Sequence, residues 1–249
     1  RLSGNASFEI NIKGVNKALP LHFLSVRWDD VLGECGYHAG KFIDAARTRT
    51  LIAADGDGTT WDSPQDGRAP TLQESPVQAP LLTYLRQGGI YLVISGNHLD
   101  RTIHRVREHI PVEIRPQMLI AANGGANLVR FTPTGEACEV GGYHTAALEV
   151  IGPTVPEMTL DVIYLGDDGR QSGNDREAFE AVGAERSILV ANQTPADIIP
   201  FLADKTIGGL TQGTRRALEF VNRLVREHPH KETFTQANIR ELVRSATQA

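Results

Sequence analysis

Cysteine is nearly absent from the chain: Cys35 and Cys138 are the two in 249 residues, and neither stands in a Cys-x-x-Cys or Cys/His spacing. That argues against a disulfide scaffold and against a structural zinc site, and makes a reducing, cytoplasmic setting the expectation. Long apolar runs are missing too. Residues 51–54 and 162–165 have strand length and fall far short of the roughly 18 to 20 residues of a membrane helix, so no membrane partner is expected. Basic charge is in deficit, with 25 Lys and Arg against 30 Asp and Glu and a formal net charge of −5. A protein that tracks nucleic-acid phosphates carries the opposite sign, so no nucleic acid is expected either. No lysine stands anywhere between Thr60 and Ala203, and no repeat or low-complexity tract is visible. What is present, 41% apolar and 22% charged residues, is enough to bury one large domain or a domain plus a smaller insert.

Apolar patterning alternates between strand and helix periods, which predicts a mostly parallel sheet covered on both faces. Strands are expected at residues 8–12, 50–54, 90–94, 118–122, 160–165 and 187–191, with a hairpin from 128 around the Pro133-Thr134-Gly135 turn. Helices are expected at 16–24, where Pro20 requires a start near Asn16, and at 28–46. Ser75-Pro76 opens another that Gly88-Gly89 ends, and Asp100 caps one running to Ile110. Further helices are expected at 175–182, 195–202, about 217–225 and 235–247, and the polar stretch that follows Thr60, to about Glu74, reads as an exposed loop.

Several of the strands end in polar residues: Asp55 and Asp57, then Ser95, then Asp167 and Asp168. In an open parallel sheet the carboxyl edge is where ligands bind, so these ends converge although they lie far apart in the chain. Carboxylates clustered beside a hydroxyl suit a hard cation such as Mg2+, which binds a few carboxylate oxygens together with substrate phosphate. The expected cluster is a metal-assisted phosphate site.

The string Leu51-Ile52-Ala53-Ala54-Asp55-Gly56-Asp57-Gly58-Thr59 resembles the first motif, an apolar strand followed by DxDGT, of the haloacid dehalogenase superfamily of phosphohydrolases. Ser95 after its strand resembles the second motif, and Gly166-Asp167-Asp168 with Asn174-Asp175 the fourth. Ile120-Ala121-Ala122-Asn123-Gly124-Gly125-Ala126 is similar to the "NGA" strand of the subgroup that contains sugar-phosphate, sucrose-phosphate and trehalose-phosphate phosphatases. The resemblance implies a three-layer, Rossmann-like core with the cap reduced or absent, and a Mg2+-dependent phosphatase that forms an aspartyl phosphate. It makes Asp55 the nucleophile and Asp57 the general acid and base, and has Ser95 donate to a phosphoryl oxygen. Gly56, Gly96, Asn97 and Asn174 become phosphate- or substrate-binding positions. Asp55, Asp57 through its carbonyl, and Asp167 would hold the metal, with Asp168 and Asp175 as further candidates.

Two departures stand out. The family places its GD a few residues before its ND, whereas here Asp168 to Gly173 intervene. The family's lysine is also missing from its usual place. A segment closely resembling that lysine motif, Phe8 to Leu19 with Gly14-Val15-Asn16-Lys17, lies instead upstream of the nucleophile. Either the parts are permuted, with residues 1–46 delivering Lys17 to a core of residues 47–249 and a cap reduced to about 132–158, or Arg101, Arg105 or Arg170 supplies the cation. A phospho-accepting receiver switch and a non-catalytic domain of a larger protein are the rival readings, and the oligomeric state stays open.

Overall fold

The computed structural model describes residues 15–34, 50–64, 68, 70–143, 161–228 and 233–247. The expected strand at 8–12, the end of the 28–46 helix and the cap positions 144–158 lie outside the described residues.

The strands are β1 (Thr50–Asp55), β2 (Ile90–Ile94), β3 (Met118–Ala122), β4 (Asn127–Phe131), β5 (Ala137–Glu139), β6 (Asp161–Gly166) and β7 (Ser187–Leu189). They form a sheet of order β5-β4-β3-β2-β1-β6-β7. β1 is parallel to β2 and β6, β2 to β3, and β6 to β7, whereas β4 runs antiparallel to both β3 and β5. The helices are α1 (Leu19–Glu34), α2 (Gln78–Arg86), α3 (Leu99–Arg107), α4 (Arg176–Val182), α5 (Thr211–Glu227) and α6 (Gln236–Thr247).

Side chains alternate across the strands, and this sorts the core into two layers. Ile52, Ala54, Val93, Ile120, Ile163 and Leu165 pack with α2, α5 and α6. Leu51, Ala53, Leu92, Leu119, Val162 and Tyr164 face the other way, against α1 and α4. The molecule is thus a three-layer α/β fold around a mostly parallel sheet. On α1, Leu19, Leu21, Phe23, Leu24, Trp28 and Val31 are buried. Burial contributes about 1.5–3 kcal/mol for each such aliphatic or phenyl side chain, which anchors the residues just before the helix at the sheet edge.

The expected helices at 16–24 and 28–46 are one element as far as Glu34, interrupted by the non-helical backbone of Arg27. The helix expected at 195–202 is corrected to a single 3-10 turn, Pro200–Leu202. Pro195 and Pro200 both lack the N–H a helix needs, and Pro200 falls where an interior residue would have to donate. Ser75 lies before α2 rather than at its cap: its hydroxyl accepts from Val77 N and donates to the Thr60 carbonyl. Asp100 stands inside the first turn of α3, after His98 at the cap position. Residues 132–143 of the expected cap form a turn, β5 and a second turn, which extend the sheet. Among the described residues no helix is long and apolar enough to cross a membrane.

Chain direction places the site. From β1 the chain runs outward through β2 and β3, then returns to the other side of β1 for β6. The crevice at the carboxyl end of β1 is therefore the topological switch point, where ligands of such sheets bind.

Candidate active site

Asp55 ends β1, and its carboxylate stands at that crevice. Lys17, just before α1, donates to Asp55 Oδ1 and, at 2.7 Å, to Asp175 Oδ1. Asp55 Oδ2 accepts from none of the described residues. Asp175 is fully buried at the start of α4. It holds the helix's cap position, yet its side chain makes no capping bond and instead accepts from Lys17, from the Tyr164 hydroxyl at 2.7 Å and from Asp168 N at 3.1 Å. Carboxylate oxygens of Asp55, Asp167 and Asp175 lie within 4.8 Å of one another.

The segment carrying Lys17 is seated on the turn after β3. Asn123, Gly124 and Gly125 all have positive φ, and a Cβ on Gly125 would overlap the carbonyl oxygen of Asn16. Asn16 in turn accepts from Ala18 N through its side chain at 2.9 Å, which opens the first turn. Tyr143 braces the same place, its hydroxyl donating to the Gly125 carbonyl while its ring meets Phe23 edge-on. Gly58, at φ 82°, is the other glycine the site requires, because a Cβ there would strike the Asp167 carboxylate.

A cavity of about 800 Å³ opens over these groups, lined among others by Lys17, Asp55, Asp57, Gly96, Asn97, Asp167, Asp168 and Asn174. Besides the buried Asp175, two of the sequence-derived positions stand behind that surface. Gly56 packs on Trp61 and Ser95. Ser95 is buried; its Oγ accepts from Asn97 N and Asn97 Nδ2, and its own proton goes to none of the described residues. Asp168 lies outside the carboxylate cluster, since Arg170 grips both its oxygens and Asn174 N donates to it. Asp57 turns its carboxylate toward Trp61, Asn97 and Arg105 instead of the cluster. Sequence reasoning missed Ser63 and Pro195 in the cavity wall, and it missed Trp61. Of the alternative cations, Arg101 lines the cavity, Arg170 is tied to Asp168 and Arg105 is buried behind Asp57.

Charge in the cluster is unbalanced toward the acid. Burial pushes the Asp55 carboxyl well above its usual range, Lys17 pulls it down, and Asp175 and Asp167 push it up again. Burial lowers the Lys17 ammonium, but the charges of Asp175 and Asp55 outweigh it and the net shift is upward. Burial, then Asp175, raises the Asp167 carboxyl from 3.8 to about 7. Three hard oxygen donors in excess over a single ammonium fit a divalent cation such as Mg2+. Asp55 and Asp167 face the cavity and would hold it, while Asp175 is already engaged by three protein donors.

A pH dependence follows. Between about pH 4 and 7 native Asp167 binds more protons than the unfolded chain, so the linkage slope is negative and stability falls as pH rises through that window. Asp55, also raised, acts in the same direction. Asp168, lowered chiefly by the hydrogen bond from Arg170, loses its contribution only in more acid solution. Thermal unfolding in chelator is expected to give a higher Tm near pH 5 than near pH 8, and excess magnesium to reduce or reverse that difference; a Tm flat across the window would contradict it.

No family model matches the chain, and no curated protein matches it. Solved structures do. One titled trehalose-6-phosphate phosphatase related protein is 15% identical, with 72% of this chain and 99% of that one covered and a TM-score of 0.42. The IMP-nucleotidase of Plasmodium falciparum is 9% identical, with 50% of this chain and 34% of that one covered and a TM-score of 0.30. Its N-terminally truncated, IMP-bound form is 7% identical, with 37% and 26% covered and a TM-score of 0.29. The chain thus spans about a third or less of the nucleotidase's length. Likenesses this distant carry no argument about activity, which rests on the residues themselves.

Proposed function

We propose that the chain is a magnesium-dependent phosphomonoesterase of the haloacid dehalogenase type, acting on a small phosphorylated metabolite such as a sugar phosphate. One observation carries the reading: Lys17, Asp55, Asp167 and Asp175, from separate segments of the chain, converge at the switch point beneath one cavity. Asp55 Oδ2, which accepts from none of the described residues, attacks phosphorus. The bond from phosphorus to the leaving oxygen breaks, its electron pair stays on that oxygen, and Asp57 supplies the proton. Water then attacks the aspartyl phosphate and gives a proton to Asp57. The phosphorus–Asp55 bond breaks, releasing phosphate and restoring the carboxylate. Lys17 and the Ser95 hydroxyl, whose proton goes to none of the described residues, are the donors for the phosphoryl oxygens. Bound magnesium supplies neutralisation of the charge that otherwise keeps a carboxylate away from a phosphate.

The test is a panel of phosphate esters, led by p-nitrophenyl phosphate, with magnesium and then with excess chelator. Turnover that chelator abolishes supports the reading. Stoichiometric phosphorylation of Asp55 without release would make the protein a phospho-accepting switch. A second arm needs no turnover: magnesium with a phosphate mimic such as beryllofluoride is expected to raise Tm by several degrees, since a ligand bound only by the folded state stabilises it.

A further inference from the structure

Arg105 is 2% exposed and lies on the inner face of α3 beside Thr102 and Val106. Helical periodicity calls for an apolar residue at such a position. A buried guanidinium brings no general gain in stability over a well-packed apolar side chain, and here Nε and Nη2 are buried without a hydrogen-bond partner among the described residues. Among the described residues its one hydrogen bond runs from Nη1 to Asp57 Oδ1 at 2.8 Å. The guanidinium stacks over the Trp61 ring, 5.3 Å from its centroid, and Trp61 Nε1 donates to the same Asp57 oxygen at 2.9 Å. Asn97 Nδ2 takes the other oxygen at 2.5 Å. Asp57 opens to the cavity, whose described lining includes neither Arg105 nor Trp61.

We infer that Arg105, stacked on Trp61, is a positioning residue that fixes the orientation of the Asp57 carboxylate from behind. The inference rests on the proposed phosphatase reading, in which Asp57 protonates the leaving oxygen. A proton donor matters in proportion to the basicity of the group that leaves. Loss of Arg105 therefore hurts poor leaving groups and spares good ones, whereas a merely structural role lowers all rates alike. Arg101, one turn earlier on α3, reaches the cavity itself and is not part of this device.

The experiment compares wild type, Arg105→Met and Arg105→Lys on aryl phosphates of graded leaving-group basicity and on one alkyl phosphate. For Arg105→Met we expect kcat on p-nitrophenyl phosphate within about threefold of wild type and a loss growing to about 100-fold on the alkyl ester, with Arg105→Lys between. A uniform loss, or none, overturns the inference. The second readout is the indole N–H of Trp61, whose exchange with water is expected to quicken about tenfold or more in Arg105→Met as its Asp57 acceptor swings away. The Trp28→Phe variant identifies that resonance, and unchanged exchange likewise overturns the inference. If wild type hydrolyses no ester, the phosphatase reading fails on its own and the indole exchange still decides whether Arg105 holds Asp57.

Discussion

Asp55→Asn is expected to lower turnover of p-nitrophenyl phosphate by about 10⁴-fold or more, the scale on which removal of a nucleophile acts, and at the same time to make the metal-free protein more stable. The two effects share one cause. Asp55, Asp167 and Asp175 crowd three carboxylates around a single lysine. An amide at position 55 keeps an oxygen for Lys17 and the shape of the pocket while deleting one of the repelling charges. Trading such functional strain for stability typically contributes about 0.5–2 kcal/mol, which for a domain of this size is a rise in Tm of a few degrees, at about 2–4 °C per kcal/mol. Magnesium should then stabilise the variant much less than wild type, since a cavity-facing carboxylate has gone. Parallel calorimetry and rate measurements check both halves. Full activity in Asp55→Asn would sink the nucleophile assignment, and a fall in the metal-free Tm would sink the account of the charge cluster.

Much of this arrangement is readable in the residues, for reasons that are local. A buried parallel strand is a short apolar run, and Asp-Gly, Ser-Gly or Gly-Asp directly after one marks the edge where the backbone turns outward, so Asp55, Ser95 and Asp167 stand out before any geometry is known. Lys17 is visible only through its surrounding motif, because nothing in a sequence says that a segment upstream of β1 packs against the turn after β3. The separate fates of Asp167, Asp168 and Asp175 were not legible. An identical carboxylate is repeated at each position, and the outcome depends on donors: Arg170 for Asp168, and Tyr164 with the Asp168 amide for Asp175. Trp61 left no signal at all, since one aromatic in an irregular loop has no period to betray it. Arg105 did leave one. A basic residue at a position where helical spacing puts Thr102 and Val106 inward is a conflict between local pattern and burial, and such conflicts gather at functional sites.

These conflicts also divide the site into two halves. Lys17, Asp55, Asp167 and Asp175 form a half rich in negative charge and built around β1 and β6. Asp57, Arg105, Trp61 and Asn97 form a hydrogen-bonded half around β2 and α3. The first half suits attack and metal binding, the second the handling of a leaving-group proton, and β1 carries both because Asp55 and Asp57 flank Gly56 at its end. Variants within one half should therefore couple strongly to each other and weakly across to the other half.

Lys17→Met provides the strongest test of the first half. The ammonium is 5% exposed and is the only cation that the described residues place on Asp55 and Asp175. Deleting it leaves the buried Asp55 and Asp175 carboxylates without compensation, and breaking a buried pair from one side costs about 3–5 kcal/mol, against about 0.5 kcal/mol or less for an ordinary surface lysine. At about 2–4 °C per kcal/mol the expected fall in Tm is roughly 6–20 °C. Its size should depend on conditions in a definite way. Low pH lets the stranded Asp55 carboxyl, which burial already raises, neutralise, so the deficit shrinks on acidification and widens as pH rises. Magnesium, which bears the missing positive charge, should restore part of the stability without restoring turnover, because the phosphoryl oxygens still lack their ammonium donor. Lys17→Arg keeps the charge on a wider, planar group that cannot hold the same two oxygens in the same space, so it should recover stability ahead of rate. A Lys17→Met protein as stable as wild type in chelator near pH 8 would mean that Lys17 is an ordinary lysine and that the N-terminal segment contributes nothing to the site.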